Sequence, residues 1–220
     1  MGLNISEIIP RKEIEISDLK GKLVCVDAFN ALYQFLSSIR QLDGTPLMDD
    51  KKRVTSHLSG IFYRNTNLLA EGIKLVYVFD GIPPEQKIRT SRKRKESRDL
   101  AGERYEIAKD EEDIAAMKRY GSQLLRLNDE MIAESKELLE AMGIVVVQAP
   151  SEGEAEAAYL AKIKKDVFAS VSQDYDSLLF AAPRLIRNLT LSKKRKTISG
   201  WVEIKPEIIE LDKVLNSLEI

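Results

Sequence analysis

Four short apolar runs, each followed at or soon after its end by acids, constrain this chain more than any other feature. They are LVCVD ending at Asp27, LVYVFD ending at Asp80, IVVVQ ending at Gln148 and VFASVSQD ending at Asp174. Brief Val- and Ile-rich runs without polar alternation read as strands buried on both faces. Helical spacing fills the intervals. From Ala28 to Arg40 the apolar positions are Phe29, Leu32, Tyr33, Phe35, Leu36 and Ile39; from Thr55 to Glu71 they are Leu58, Ile61, Phe62, Leu68 and Leu69. From Asp129 to Met142 they are Ile132, Leu138, Leu139 and Met142, with Asn128 as N-cap. Two joints are alike: Gly72-Ile73 and Gly143-Ile144 each lead from a helix into a strand, as a left-handed C′ glycine does. Strand–helix–strand repetition of this kind predicts an α/β fold with a mostly parallel central sheet flanked by helices on both faces. RLIRNLTL from Arg184 and WVEI from Trp201 are expected to add edge strands, and Pro206 to open a last helix through Leu218.

Nothing in the composition argues for another class. At 220 residues one large domain buries an ample core without staples. The single Cys25 excludes an internal disulfide framework. No apolar run approaches the ~18 residues of a membrane span, and no leader is visible. A cytoplasmic location is therefore expected. Lys and Arg number 34 against 35 Asp and Glu, but this balance hides segregation by sign. Residues 87–98 hold seven bases and one acid, and residues 99–113 hold seven acids and two bases. The stretch 87–127 is too long and too charged for an ordinary connection, and it reads as a protruding helical arch.

Ligands in open parallel sheets bind at the carboxyl ends of the strands. There this chain places Asp27, Asp80, Glu152 and Glu154, Asp174 and Asp176. Six carboxylates at one edge stay ionised only if cations join them. Oxygen-only ligands without nearby His or Cys favour Mg²⁺, or Mn²⁺, over zinc. Six acids suit two ions, and two ions ~4 Å apart suit in-line phosphodiester hydrolysis. Singly, each acid has a plainer explanation. Ser151 and Glu154 spell a capping box, Asp174 or Asp176 suits an N-cap, and Asp80 suits a turn. Lys87 and Arg94, seven apart, share one face of a helix and suit a polyanion; a solvated charged helix is the plainer alternative. The basic cluster 193–196 reads as a loop between edge strands. His57, the only histidine, reads as a cap or core residue.

The segments VDAFNALYQFLSSIRQ, TSHLSGIFYRN, GIKLVYVFDGIPPEQK, APSEGEAEAAYLA and SQDYDSLLF together resemble the flap endonucleases of the XPG family. MGLNISEIIP and GTPL are most similar to its archaeal members. The resemblance implies a PIN-like 5′-nuclease fold: a single nuclease domain over residues 1–220 with the arch inserted at 87–127. It implies a structure-specific 5′ flap endonuclease that cuts branched DNA in replication and repair by two-metal-ion hydrolysis. The family's metal ligands fall on the six acids already singled out. Its phosphate-engaging basic pair falls on Lys87 and Arg94, its base-stacking tyrosine on Tyr33, and further DNA contacts on Arg40 and Arg64. The family's seventh acidic ligand, in a G-[ST]-D-Y-like motif, is not among these residues. Neither is its helix–hairpin–helix or the C-terminal tail that meets a sliding clamp, so a truncated nuclease domain is expected. Two alternatives stand beside the nuclease: a non-catalytic DNA- or partner-binding fragment, and a metal-dependent phosphatase.

Overall fold

The structure, a computed structural model, describes residues 5, 7–41, 44–84, 99–111, 113–124, 126–189, 194–197 and 200–219. Its strands are β1 (Lys12–Glu13), β2 (Leu23–Asp27), β3 (Lys74–Phe79), β4 (Val145–Gln148), β5 (Val167–Val171), β6 (Arg184–Arg187), β7 (Lys194–Thr197), β8 (Gly200–Glu203) and β9 (Glu207–Glu210). Its helices are α1 (Ala28–Ser38), α2 (Ser56–Ala70), α3 (99–110), α4 (Ile114–Gln123), α5 (Asp129–Ala141), α6 (Gly153–Ile163), α7 (Asp176–Leu179) and α8 (Leu211–Leu218). The chain divides into two compact units, one of Met1–Ala31, Arg64–Ile82 and Leu139–Ile220, the other of Leu32–Tyr63 and Pro83–Leu138.

The first unit holds a seven-stranded sheet in the order β1-β9-β6-β5-β2-β3-β4. The five strands from β6 to β4 run parallel, and β9 and β1 complete the sheet antiparallel. Register Cys25↔Val76 and Val26↔Tyr77 sends alternate residues to opposite faces. On one face Cys25, Val76, Val78 and Val167 pack with Ala149 and with Ala157 and Ala161 of α6. Burial pushes the Cys25 thiol up to about 12, with Asp166 and Glu156 adding to the rise, so it stays a protonated core residue. On the other face Tyr77 and Phe79 are fully buried. The Tyr77 hydroxyl donates to Asn65 Oδ1 of α2 at 2.9 Å, and the Phe79 ring meets Phe29 of α1 edge-on. Both strand faces being apolar, the runs show no alternation in sequence.

The two helix-to-strand joints form as expected. Gly72 and Gly143 have φ of +80° and +74°, and the following Ile N–H groups bond back to Leu68 and Leu139. Asn128 caps α5, its side chain accepting from Met131 N at 2.7 Å. Four expectations need correction. The basic cluster 193–196, read as a loop, lies from Lys194 on in β7, because it pairs with β8. The strand at Arg184 is internal, because β9 pairs along its outer side. WVEI pairs with β7 as a separate two-stranded sheet. The helix expected from Pro206 begins only at Leu211, because Ile208 and Ile209 first pair with β6. Ile209 is buried with Val214, Leu185 and Tyr175, and that burial outweighs the helical spacing.

In the second unit, α3 occupies the acidic part of the predicted arch and α4 follows it, with Asp113 as its N-cap accepting from Ala115 N and Ala116 N. The basic run, with Lys87 and Arg94, lies outside the described residues. His57 is fully buried, its Nε2 3.4 Å from Glu134 Oε2. Burial lowers its pKa, with Glu134 opposing. Among the described residues no helix is long and apolar enough to cross a membrane.

Candidate active site

The order β5-β2-β3-β4 sets Asp27 near the middle of the carboxyl edge, because β2 is central and Asp27 is its last residue. It is 8% exposed and accepts the backbone N–H of Asn30 at 3.1 Å. Burial pushes its carboxyl up to about 7. The Asn30 and Phe29 N–H groups work against that shift, and Glu154 and Asp80 add to it. Three acids from three separate segments thus act on one another here.

Asp80 directly follows β3. Its Oδ1 accepts from the N–H of Gly153 at 2.6 Å, at the positive N-terminus of α6. Only glycine fits there, since a Cβ on residue 153 would stand 2.9 Å from Asp80 Oδ1 and 2.9 Å from the Val78 carbonyl. Glu152 is the N-cap of α6 and Glu154 lies in its first turn. The capping box spelled by Ser151 and Glu154 does not form. Ser151 Oγ donates to the Ile82 carbonyl, while Glu154 Oε1 accepts both the N–H and the hydroxyl of Ser177 at 2.9 Å. Burial raises the Glu154 pKa, Ser177 opposes it, and Asp176 and Asp174 raise it further.

Asp174 sits in the loop after β5, where Asn30 Nδ2 reaches its Oδ2 at 3.4 Å. Asp176 opens α7, whose N-cap is Tyr175, so neither Asp174 nor Asp176 is the cap. Asp80 and Glu154 each act electrostatically on Asp27, and Asp174 and Asp176 act on Glu154. Glu152 shares the edge by its place on α6. Among the described residues, however, no three His, Cys, Asp or Glu side chains gather into a group able to hold a metal ion as they stand. Asp80 and Glu154 are turned to Gly153 and Ser177 instead.

The donor set still suits a hard dication. It is all oxygen, and it includes a carboxylate whose burial and acidic neighbours disfavour its charged form. Mg²⁺ keeps several waters, so it does not require three carboxylates in direct contact.

Tyr33, Arg40 and Arg64 are the other predicted residues among those described. Tyr33 on α1 is 40% exposed. The Arg40 guanidinium donates to the carbonyls of Gly44 and Gly121, and burial lowers its pKa. Arg64 is half-buried on α2, its pKa lowered by burial and raised by Tyr77. Sequence reasoning missed Asn30, Gly153 and Ser177. Only Asn30 left a signal, standing one helical turn after Asp27.

Fold and acidic edge define a class, an α/β protein of the PIN-like nuclease fold. Residues 4–101 match the XPG N-terminal domain and residues 143–220 the XPG I-region. The chain is 57% identical over 222 residues to flap endonuclease 1 of Pyrococcus furiosus, a match covering 100% of this chain and 65% of that relative. Flap endonuclease-1 from Methanococcus jannaschii is similar in structure, with a TM-score of 0.74 at 42% identity over 100% of this chain and 66% of that one. The catalytic core of Rad2 in complex with DNA substrate follows at TM-score 0.65 and 27% identity, over 96% and 54%. The chain belongs to the XPG family, and it spans 65% of the length of its Pyrococcus relative.

Proposed function

We propose that these residues form the catalytic portion of a structure-specific 5′ flap endonuclease, acting on branched DNA in replication and repair in the cytoplasm. The reading takes them as one nuclease domain carrying a helical arch at 87–127. The observation that carries it is the edge itself: five acids from four segments, with Asp80 and Glu154 acting on Asp27, Asp174 and Asp176 acting on Glu154, and Asp27 pushed up to about 7 chiefly by burial. So costly an arrangement is retained for function rather than stability.

Asp27, Asp80, Glu152, Glu154, Asp174 and Asp176 would hold two Mg²⁺, or Mn²⁺, by inner or water-mediated contact. When bound, the dications supply Lewis-acid stabilisation of charge on the phosphate oxygens. The chain's own part is to orient the acids: Gly153 N–H fixes Asp80, Ser177 fixes Glu154, and Asn30 holds Asp27 and Asp174. Lys87 and Arg94 are assigned to the scissile phosphate, where cations stabilise developing charge. Tyr33, exposed on α1, is assigned to stack on an unpaired base, worth about 1–3 kcal/mol. Arg40 and Arg64 are assigned to further DNA contacts near the flap and the junction. Contact with a sliding clamp is assigned to no residue described.

Asp80→Ala is expected to reduce cleavage of a labelled 5′-flap duplex by about 10²–10³-fold or more, with DNA affinity changed only a few-fold. Near-normal turnover by this variant rejects the proposal. The spread of the acids, no three of which form a metal-holding group, favours a second reading: a non-catalytic DNA-binding module. Titration with Mn²⁺ separates the two, since the nuclease takes up two saturable ions and the module only one, weakly.

A further inference from the structure

The loop that follows β5 carries both Asp174 and Asp176, yet most of what holds it comes from β6. Arg187 ends that strand, with 18% of its side chain exposed. Its Nε donates to the Gln173 carbonyl at 3.1 Å, and its Nη1 donates to the Tyr175 hydroxyl. The guanidinium lies over the Tyr175 ring, 4.2 Å from the centroid. Arg187 thus grips the residues on either side of Asp174. The guanidinium is itself anchored, because β6–β9 register sets Glu207 opposite Arg187, with Glu207 Oε2 3.6 Å from its Nη1. The other Glu207 oxygen lies 3.6 Å from Arg11 Nε. From α1, Asn30 Oδ1 accepts the Gln173 N–H at 3.1 Å, so the loop is held from a second side.

We propose that Arg187 is a positioning residue: anchored by Glu207, its planar fork sets the course of the loop so that Asp174 and Asp176 present their carboxylates at the sheet edge. The inference rests on reading those two acids as metal ligands. Arg187 touches neither of them, so it acts only through Gln173 and Tyr175. Residues that orient ligands in this way typically account for about 10–100-fold in metal affinity or activity. A lysine keeps the charge beside Glu207 but has no fork to serve two acceptors at once while stacking on a ring.

The test is a Mn²⁺ titration of the full chain, read from the paramagnetic resonance signal of free Mn²⁺, beside flap cleavage and thermal unfolding. Arg187→Met is expected to weaken Mn²⁺ binding about 10–100-fold and to lower kcat while KM for flap DNA stays within a few-fold. Arg187→Lys is expected to lose about tenfold as well, with an unfolding temperature near that of the parent. This conservative variant carries the test if the Met variant does not fold. A role in charge or stability alone predicts that Lys restores parental Mn²⁺ binding, and that result overturns the proposal. Asp176→Asn reports on the underlying reading. If it weakens Mn²⁺ binding while both Arg187 variants bind normally, positioning fails and the ligand assignment stands. If Asp176→Asn binds Mn²⁺ like the parent, both fall.

Discussion

At the amino ends of the parallel strands stand Lys22, Lys74 and Arg184, all exposed to water. At the carboxyl ends stand Asp27, Glu154, Asp174 and Asp176, all partly or fully withdrawn from it, together with the exposed Asp80. Lys22 Nζ and the Arg184 guanidinium rest on the Phe168 ring, 5.1 Å and 4.8 Å from its centroid, while their charges stay hydrated. That edge is electrostatically at ease. The carboxyl edge crowds like charges, and burial holds the pKa values of Asp27 and Glu154 up. One sheet therefore carries exposed cations at one edge and, at the other, acids of which Asp27 and Glu154 are held toward their protonated forms by burial. The difference supports placing the proposed site at the acidic edge.

Asp27→Asn tests the contrast hardest. It should reduce flap cleavage by about 10²–10³-fold or more. In chelator it should also raise the unfolding temperature at pH 8, where the parent must hold a buried carboxylate charged. Because burial raises the folded-state pKa, stability from protonating Asp27 is fully present below its ordinary value of 3.8 and is lost as pH rises through about 7. The parent's unfolding temperature should fall across that window in chelator, and the Asn variant's should fall less. A variant less stable than its parent at pH 8 would break the contrast.

Gly153→Ala comes next. The added methyl would lie 2.9 Å from both Asp80 Oδ1 and the Val78 carbonyl, so Asp80 and the end of β3 must shift, and cleavage should drop about 10–100-fold. Circular dichroism should still report a folded protein. The smallest effect belongs to the amino edge. Arg184→Ala removes one cation from Phe168 and should cost about 0.5–1 kcal/mol in denaturant unfolding, with cleavage unchanged. A loss of cleavage there comparable to that at the carboxyl edge would erase the distinction between the two ends.

Much of this was legible in one dimension. Asp27 and Asp80 close apolar runs, and Glu152, Glu154, Asp174 and Asp176 follow soon after two more, so the strand pattern alone put six acids on one edge. The glycine joints and the Asn128 cap were legible because each depends on residues only a few positions apart. The capping box at Ser151 was misleading, because Glu154 finds two donors on Ser177, 23 residues away. The helix expected from Pro206 gave way to β9 for a similar reason: Ile208 and Ile209 meet partners on β6 that no local window contains. Arg187 left no trace, since an arginine at the end of a short strand looks like any surface residue until Tyr175 and Glu207 surround it.

By itself, then, the sequence determined the four central strands β2 to β5, the helices between them, the parallel sense of most of the sheet and the identity of the acids. Those properties follow from periodicity and from chain direction, and both are local. Only the tertiary structure decided strand order, the charge state the edge favours, and which neutral or cationic groups hold each acid in place. Burial and hydrogen bonding between residues as far apart as Asn30 and Asp174 are set by packing, and packing exists only once distant segments have met.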